Sequence, residues 1–507
     1  MRIHRTKNAT RNIIFGIILK IYQIAVPFII RTAMIYLLGI EYLGLNSLFI
    51  SILQVLNLVE LGVGSAMVFS MYKPIAEDNY YEICALMHLY KIYYRIIGLC
   101  IMILGLILIP FIPKLISGEV PDAINVYILY LLNLAATVLS YWLFAYKNCL
   151  LTAHQRTDVT SKITLATNSI QYIFQFLVLI IFRNYYYYLI IALFSQALTN
   201  IVTAIIVTKM YPRYEAIGKL DSLTVKEINQ RIKDLFTAKL GAVVTNSVDT
   251  VVISAFLGLT ILAEYNNYYY IMSSIFGLVS VLFSSCTAGI GNSLVTESKE
   301  KNYNDFLKFT FIISWLTGFC TCCLYSLYQP FMFLWVGSEF MLNNFTVVLF
   351  CLYYYVYELA LIFATYKDAA GIWHEDRFRP LIGACVNLIL NLYMVKIIGI
   401  NGILLSTIIS YIFVAMPWLI HNLFNILFKR NSIKYIIKLF KHGIVTIIAC
   451  ILNKYICGLV DGQDYIAFFF KIIISCIVPN IVFLIFLWRS WEFKQSVVMV
   501  KKILRRN

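Results

Sequence analysis

The sequence predicts an all-α, polytopic membrane protein of about fourteen transmembrane helices, laid out as two six-helix halves with one further helix pair. Three observations predict it. Apolar runs of about 20 residues recur along the chain, the length a helix needs to cross the hydrocarbon core. Of 507 residues, 61% are hydrophobic and only 13% charged, against about 25% charged in ordinary soluble domains. Lysine and arginine fall in alternate loops, as the positive-inside rule requires. An outer-membrane barrel would show alternating strands of about 10 residues instead.

The predicted spans are residues 13–38, 42–70, 83–112, 123–151, 160–182, 186–208, 236–258, 262–292, 306–330, 344–370, 380–396, 401–426, 436–457 and 465–489. An even number puts both termini on one side. Of the 41 lysines and arginines, 29 lie in loops or at span ends on that side and three (Lys114, Arg183 and Lys396) on the other. This bias places both termini in the cytoplasm. It also accounts for the net charge of +16 without nucleic acid, since there is no DNA- or RNA-binding motif and no contiguous basic domain. The segment from Met1 to Arg11 is short and basic, and the apolar run after it is too long for a signal-peptide core. It reads as the lead into an uncleaved first helix. Twelve cysteines are scattered mostly through the apolar segments, where they read as small buried hydrophobes.

The longest polar stretch, 209–235, separates six spans from eight. The expected organisation is therefore an N-terminal six-helix lobe (1–208), a cytoplasmic linker (209–235) and a C-terminal six-helix lobe (236–426). A helix pair with a basic cytoplasmic tail (427–507) follows. No loop is long enough to bury a soluble core. No G-x-x-x-x-G-K-[ST] occurs, so ATP is not hydrolysed by this chain.

The first helix pair, Ile13 to Met71, sets the plan. Its two segments meet at Leu38-Gly39-Ile40-Glu41, and the second ends in Gly62-Val63-Gly64-Ser65. The plan returns later. At a shift of 219 residues, Phe256-Leu257-Gly258 matches Leu37-Leu38-Gly39, and Lys239 falls opposite Lys20. The helix that follows closes with Gly289-Ile290-Gly291-Asn292. Internal repeats in a polytopic protein are a transporter signature, with the site where the repeats meet.

Charges inside the apolar segments mark the candidate site. Lys20, Gln23, Pro27 and Arg31 lie on one helical stripe, because eleven residues make about three turns. Asn46, Gln54, Asn57 and Glu60 form a broader polar face on the next segment. His88, Lys91 and Arg95 share a face of the third. Asp249 lies near the middle of span seven, with Asn246 a turn away, and Glu358 is near the centre of span ten. A charge at mid-bilayer costs about 3 kcal/mol or more, so such stripes turn from lipid toward a cavity or a partner. Two readings stand side by side. The charges pair structurally, Glu60 with Arg31 for example, or they bind a ligand. The surplus of inward cations (Arg31, Arg95, Lys20, Lys91 and Lys239) favours an anionic ligand, phosphate or pyrophosphate first, which arginine forks and lysine point charges both hold. Glu60, Asp249 and Glu358 are then the candidates for coupling or gating.

The 37 tyrosines include runs at 185–188, 268–270 and 353–355. The first reads as an interfacial aromatic belt. The others read as packing, with stacking on sugar rings as the alternative. No Ser-His-Asp set, metal cluster or pair of carboxylates about a cleft appears, so an enzyme, a metal site and a cofactor are not expected.

These residues also carry a resemblance. LGIEYLGLNSLF (Leu38 to Phe49) with LVELGVGSAMVFSMYKPIAEDN (Leu58 to Asn79) resembles the first helix pair of bacterial polysaccharide flippases. NSVDTVVISAFLG (Asn246 to Gly258) and EYNNYYYI (Glu264 to Ile271) resemble their seventh and eighth helices. KDAAGIWHEDRFRPLIGACVNLILN (Lys367 to Asn391) and GINGILLSTIIS (Gly399 to Ser410) are similar to the region of helices ten to twelve. The family is the Wzx-type flippases of lipid-linked oligosaccharides, within the MATE-like MOP superfamily. The resemblance implies a MATE-like fold of two six-helix lobes around a central cavity, often with two extra helices. It implies a substrate, an oligosaccharide repeat unit on undecaprenyl pyrophosphate, moved by alternating access from the cytoplasmic to the outer leaflet of the bacterial cytoplasmic membrane. Capsule, exopolysaccharide or O-antigen would follow, with a polymerase and other polysaccharide-assembly proteins as partners. By position, Arg31 and Arg95 fit the cations that hold pyrophosphate or acidic sugars in such flippases. Coupling to a proton or a sodium gradient is left open. Two relatives in the superfamily compete with this reading. A drug/cation antiporter calls for an anionic cavity and twelve spans. A lipid II flippase shares the cations and the fourteen spans but matches the quoted stretches less well.

Overall fold

The computed structural model describes residues 5–504 apart from 61, 119 and 122, together with most of their side chains. The described residues form helices, and the chain is a multi-pass membrane protein. Among the described residues, eleven helices are long and apolar enough to span a bilayer, and a bent pair makes a twelfth. Predicted spans seven and eight fall on two long helices that include side chains outside the described residues.

The helices divide into two compact units, Met1–Ala263 and Glu264–Asn507. The first holds α1 (Arg5–Leu37), α2 (Ile40–Leu56), α3 (Val63–Ala76), α4 (Tyr80–Leu108), α5 (Val126–Trp142), α6 (Asn148–Ala153), α7 (Thr157–Ile181), α8 (Tyr185–Met210) and α9 (Ser222–Leu257). The boundary falls inside α10 (Leu259–Thr296). The second holds α11 (Lys299–Val336), α12 (Asn344–Ala369), α13 (Arg379–Ile398), α14 (Ile400–Ser410), α15 (Met416–Asn422), α16 (Ile433–Gly458), α17 (Tyr465–Leu487) and α18 (Trp491–Leu504). The sequence repeat sets its boundary at 209–235. Here half of that stretch is already helix α9, which packs on α2 and α3 and so groups with the first unit.

Three predicted spans are not single helices. Span two breaks after Leu56 into a 3-10 turn, Asn57–Glu60, and restarts at Val63. The break has a local cause: Gly62 takes a left-handed φ of 91°, which a side chain rarely tolerates. Span four bends by 47° between α5 and α6, where Phe144 adopts φ 58°. Span twelve carries two π-helical turns, Tyr411–Ala415 and Leu423–Phe428, a form found most often at single sites inside α-helices.

The basic tail is a helix, α18. Its start is pinned on α16 by an ion pair of Glu492 with Lys438. Burial opposes ionisation of Glu492, but that hydrogen bond and the Lys438 charge more than offset it and hold the carboxyl below its usual range. Phe493 stacks on Trp315 of α11 at 5.8 Å, so the tail's first turn is packed.

In each unit a buried aspartate is held by cations at the opening of a long helix. Asp158 is wholly buried and meets Arg156 at 2.9 Å, Lys162 at 3.7 Å and Arg11 at 3.9 Å. Asn12 of α1 accepts the Asp158 backbone N–H at 2.8 Å and donates to the Gln155 carbonyl at 3.1 Å, which staples α1 to this turn. In the second unit Asp376 meets Arg379 at 2.6 Å and Lys367 at 3.4 Å. The 219-residue shift brings Asp158 to within one position of Asp376, so the two staples fall at corresponding points of the sequence repeat.

The cysteines fit their reading as small buried residues only in part, since Cys385 and Cys476 are exposed. All twelve are free, and five are buried. Cys320 and Cys323 have C-x-x-C spacing, yet they lie within the uninterrupted helix α11.

Candidate functional site

Helix α4 organises the polar interior of the first unit. It packs on α5, on α3 and on both turns where neighbouring spans break. The first break touches it through a chain of hydroxyls. Tyr90 donates to the Tyr94 oxygen at 2.5 Å, and Tyr94 donates to Glu60 Oε1 at 3.2 Å. Tyr141 of α5 donates to Asn57 Oδ1 in the same turn at 3.2 Å. The second break touches α4 through Trp142, whose Nε1 donates to the Arg95 carbonyl at 3.2 Å. That contact needs Gly98, since a Cβ there would lie 2.3 Å from the indole nitrogen. Lys91 sits 5.8 Å from the centre of the Tyr146 ring, a cation–π approach to the far side of the bend. Two interrupted helices therefore flank one short stretch of α4 that carries Lys91, Tyr94 and Arg95. Interrupted helices are where transporters place ligand sites, because freed backbone groups are tolerated there only beside a cavity or a partner.

The polar face of span two is satisfied by tyrosines. Asn46 accepts from Tyr185 at 3.1 Å, Asn57 from Tyr141 and Glu60 from Tyr94, while Gln54 is exposed. Tyr185 thus corrects the aromatic-belt expectation. It is buried, because its hydroxyl finds Asn46, and Tyr187 is the exposed ring of that run. The later tyrosine runs pack, as expected. Tyr268 is buried against Tyr328 at 5.2 Å, and Tyr353 and Tyr354 are buried in α12.

The remaining candidates are spread out. Lys20 and Arg31 are half-buried on α1, which packs chiefly on α7. Arg31 lies within electrostatic reach of the Tyr188 phenol, and its Nη2 is buried. Lys91 is half-buried and Arg95 exposed. His88, on their face, leaves it and donates through Nδ1 to the Gly218 carbonyl at 2.6 Å. The Lys239 side chain lies outside the described residues. Asp249 is 7% exposed within α9. Glu358, in the second unit, is wholly buried, and neither of its carboxylate oxygens has a hydrogen-bond partner. Among the described residues no three His, Cys, Asp or Glu gather as metal ligands would.

The sequence singled out Glu60 and Arg95 but missed Tyr94, Tyr141 and Trp142, which tie α4 and α5 to the breaks. Aromatic residues in apolar helices carry no pattern that separates a hydrogen-bonding role from packing.

No family model and no curated protein matches the chain. Solved structures do. The chain is similar to the lipid II flippase MurJ in its inward closed conformation, with TM-score 0.69 and 17% identity, covering 94% of this chain and 98% of that one. It is similar to a multidrug resistance MATE transporter of the MOP superfamily, inward-facing, with TM-score 0.59 and 14% identity, covering 78% and 93%. A MATE transporter from Vibrio cholerae gives TM-score 0.55 and 15% identity, covering 84% and 99%. At such identities the likeness speaks for the fold, and the fold is the one these MurJ and MATE structures share.

Proposed function

We propose that the chain is a flippase for undecaprenyl-pyrophosphate-linked oligosaccharide repeat units, working by alternating access in the bacterial cytoplasmic membrane with both termini in the cytoplasm. The product would feed capsule, exopolysaccharide or O-antigen synthesis. One observation carries the reading. Lys91 and Arg95 stand on the stretch of α4 flanked by two interrupted helices, within a fold shared with transporters of lipids and drugs. Cations at that place suit a pyrophosphate, and Lys20 and Arg31 add to the positive charge within the first unit. The resemblance of the sequence stretches supplies the sugar-lipid substrate. Glu60, Asp249 and Glu358 remain the acids for coupling or gating by a proton or sodium gradient.

A lipid II flippase is the second reading, favoured by the extent of the likeness to MurJ, 94% of this chain. The two share a lipid pyrophosphate and differ in the sugar. An antiporter for cationic drugs is served poorly by the cations of α1 and α4.

The test is charge removal. Arg31→Ala, Lys91→Ala and Arg95→Ala proteins should reach the membrane at normal levels and fail to restore surface polymer to a deletion strain. Normal polymer from all three would remove these cations from the site. Rescue of a strain depleted of its own lipid II flippase would favour the second reading.

A further inference from the structure

The last helices of the second unit carry a strongly basic face that the proposed transport does not use. Residues 427–442 hold five lysines and arginines and no acid, and residues 488–507 hold six with one acid, Glu492. Lys438, near the start of α16, pairs with Glu492 in the first turn of α18. Lys434, Lys438 and Lys441 recur at four and three residues, so they share one stripe of α16. All three are exposed. The ion pair sets that stripe beside α18, where Trp491, Lys494 and Val498 form an exposed stripe of their own. Arg489, in the preceding turn, lies 4.9 Å over the ring of Trp488, which is half-exposed. Exposed tryptophans among lysines and arginines at the end of a membrane span mark the level of the lipid headgroups.

Beside this face a groove of about 620 Å³ opens between α11, α17 and α18. Its walls include Phe311, Trp315 and Phe319 of α11, Asn480 of α17, and Phe493 and Val497 of α18. Phe311 meets Phe493 at 6.2 Å and His442 of α16, the residue after Lys441, at 5.6 Å, so the groove starts at the basic stripe. From Phe311 to Phe319 the wall runs about 12 Å along α11, against about 15 Å of hydrocarbon in one leaflet. The polar groups at the groove are engaged. Asn480 accepts from Trp315 Nε1 and donates to the Cys476 carbonyl, both at 2.8 Å, and Ser496 donates to the Glu492 carbonyl at 2.8 Å. The groove therefore offers a ligand mostly carbon. It lies between α11 and α17, which are long and apolar enough to span the bilayer, at a depth that a soluble acidic protein does not reach. An apolar chain with an anionic head fits both parts of the site.

We propose that this face and groove hold one acidic phospholipid of the membrane itself, with its phosphate at Lys434, Lys441 and Lys494 and one acyl chain along α11. A lysine at the surface favours an anionic lipid by roughly fivefold, and several lysines together select the acidic lipid over a zwitterionic one with the same chains. The chain would lie against Phe493 and Val497 and so fasten α18 to the second unit. The occupant is the phospholipid and not the transported sugar lipid, because the head site is on the outer surface of the helices, where an oligosaccharide gains no path across the bilayer. The inference goes beyond the proposed transport and rests only on α11, α16 and α17 crossing the membrane. On the topology proposed above, the leaflet concerned is the cytoplasmic one.

The test is native mass spectrometry of the purified full chain in detergent, titrated with dioleoyl phosphatidylglycerol or dioleoyl phosphatidylcholine. The proposal predicts that one phosphatidylglycerol is retained per chain at a concentration at least tenfold below that needed for phosphatidylcholine. The joint variant Lys434→Gln, Lys441→Gln and Lys494→Gln should bring that preference below threefold. A control with Lys209→Gln, Lys219→Gln and Lys226→Gln, three exposed lysines far along the sequence, should keep it. Val497→Trp, which fills the groove, should weaken retention of both lipids; the surface lysine variants carry the test if that protein does not fold. Equal retention of the two lipids by the wild type, or an equal loss of preference in the joint variant and the control, would overturn the site. Undecaprenyl phosphate displacing the phospholipid from the wild type but not from Val497→Trp would also overturn it, by making the groove a seat for the transported lipid. Selective retention of phosphatidylglycerol by a chain that restores no surface polymer would overturn the flippase reading alone.

Discussion

Replacing Gly62 with alanine tests whether the break in span two is built in. Two costs can be worked out from the structure. Gly62 sits at φ 91° and ψ −24°, where an L-residue pays about 1–2 kcal/mol. A Cβ there would lie 2.8 Å from Leu235 Cβ, 3.0 Å from the Ile232 carbonyl oxygen and 3.3 Å from the Phe236 nitrogen. These are backbone atoms or the root of a side chain on α9, so none can swing away. Overpacking of that kind costs about 1–3 kcal/mol. The total is about 2–5 kcal/mol. Gly371 supplies the control, since this left-handed residue after α12 has φ 69° with no atom within 4 Å of its Cβ position. Alanine there meets only the backbone term, about 1–2 kcal/mol. Unfolding of the purified full chain in mixed micelles, titrated with denaturing detergent, reads both variants. Gly62→Ala should lose clearly more stability than Gly371→Ala and should lose export as well. Equal losses at the two positions would refute the close approach of the break to α9.

Three further outcomes follow from other contacts. Tyr94→Phe removes the donor to Glu60 and the acceptor of Tyr90, and should cost about 1–2 kcal/mol; a variant as stable as wild type in the same titration would show that the Tyr90–Tyr94–Glu60 chain does not hold the break. Asp158→Asn leaves Arg156, Lys162 and Arg11 facing a neutral group. Because those cations are partly exposed, the loss should be near about 2 kcal/mol, below the figure for a fully buried pair, and limited proteolysis should show α1 released first. A cysteine in place of the exposed Lys219, in a chain otherwise stripped of cysteine, should not react with impermeant thiol reagents in intact cells, and labelling there would reverse the assigned topology.

Composition made the membrane class legible, and the long apolar runs located most of the helices. Both are bulk properties that a long apolar helix cannot hide. The helix breaks were harder to read. Asn57 to Gly62 sits in a run whose hydropathy continues on both sides, and the glycine's meaning depends on α9, more than 150 residues away. The acids divide in the same way. Glu60 was visible as an intramembrane charge, yet its partner is a tyrosine, one of 37, with no pattern to pick it out. Asp158 and Asp376 were passed over because both lie in short loops, where an aspartate beside arginine reads as a solvated pair. Burial by packing is what makes them staples. Glu358 was placed correctly near the centre of its span, but the burial of its oxygens without a hydrogen-bond partner depends on how the helices pack, which one sequence does not display.

The central claim concerns the substrate, and a deletion strain tests it most directly. Lipid extracts of that strain, with and without an outer-leaflet sugar probe, show which lipid-linked oligosaccharide accumulates and on which side. An undecaprenyl-pyrophosphate repeat unit trapped in the cytoplasmic leaflet, and released by the wild-type chain, is the predicted result. No trapped sugar lipid, together with new sensitivity to cationic drugs, would contradict it.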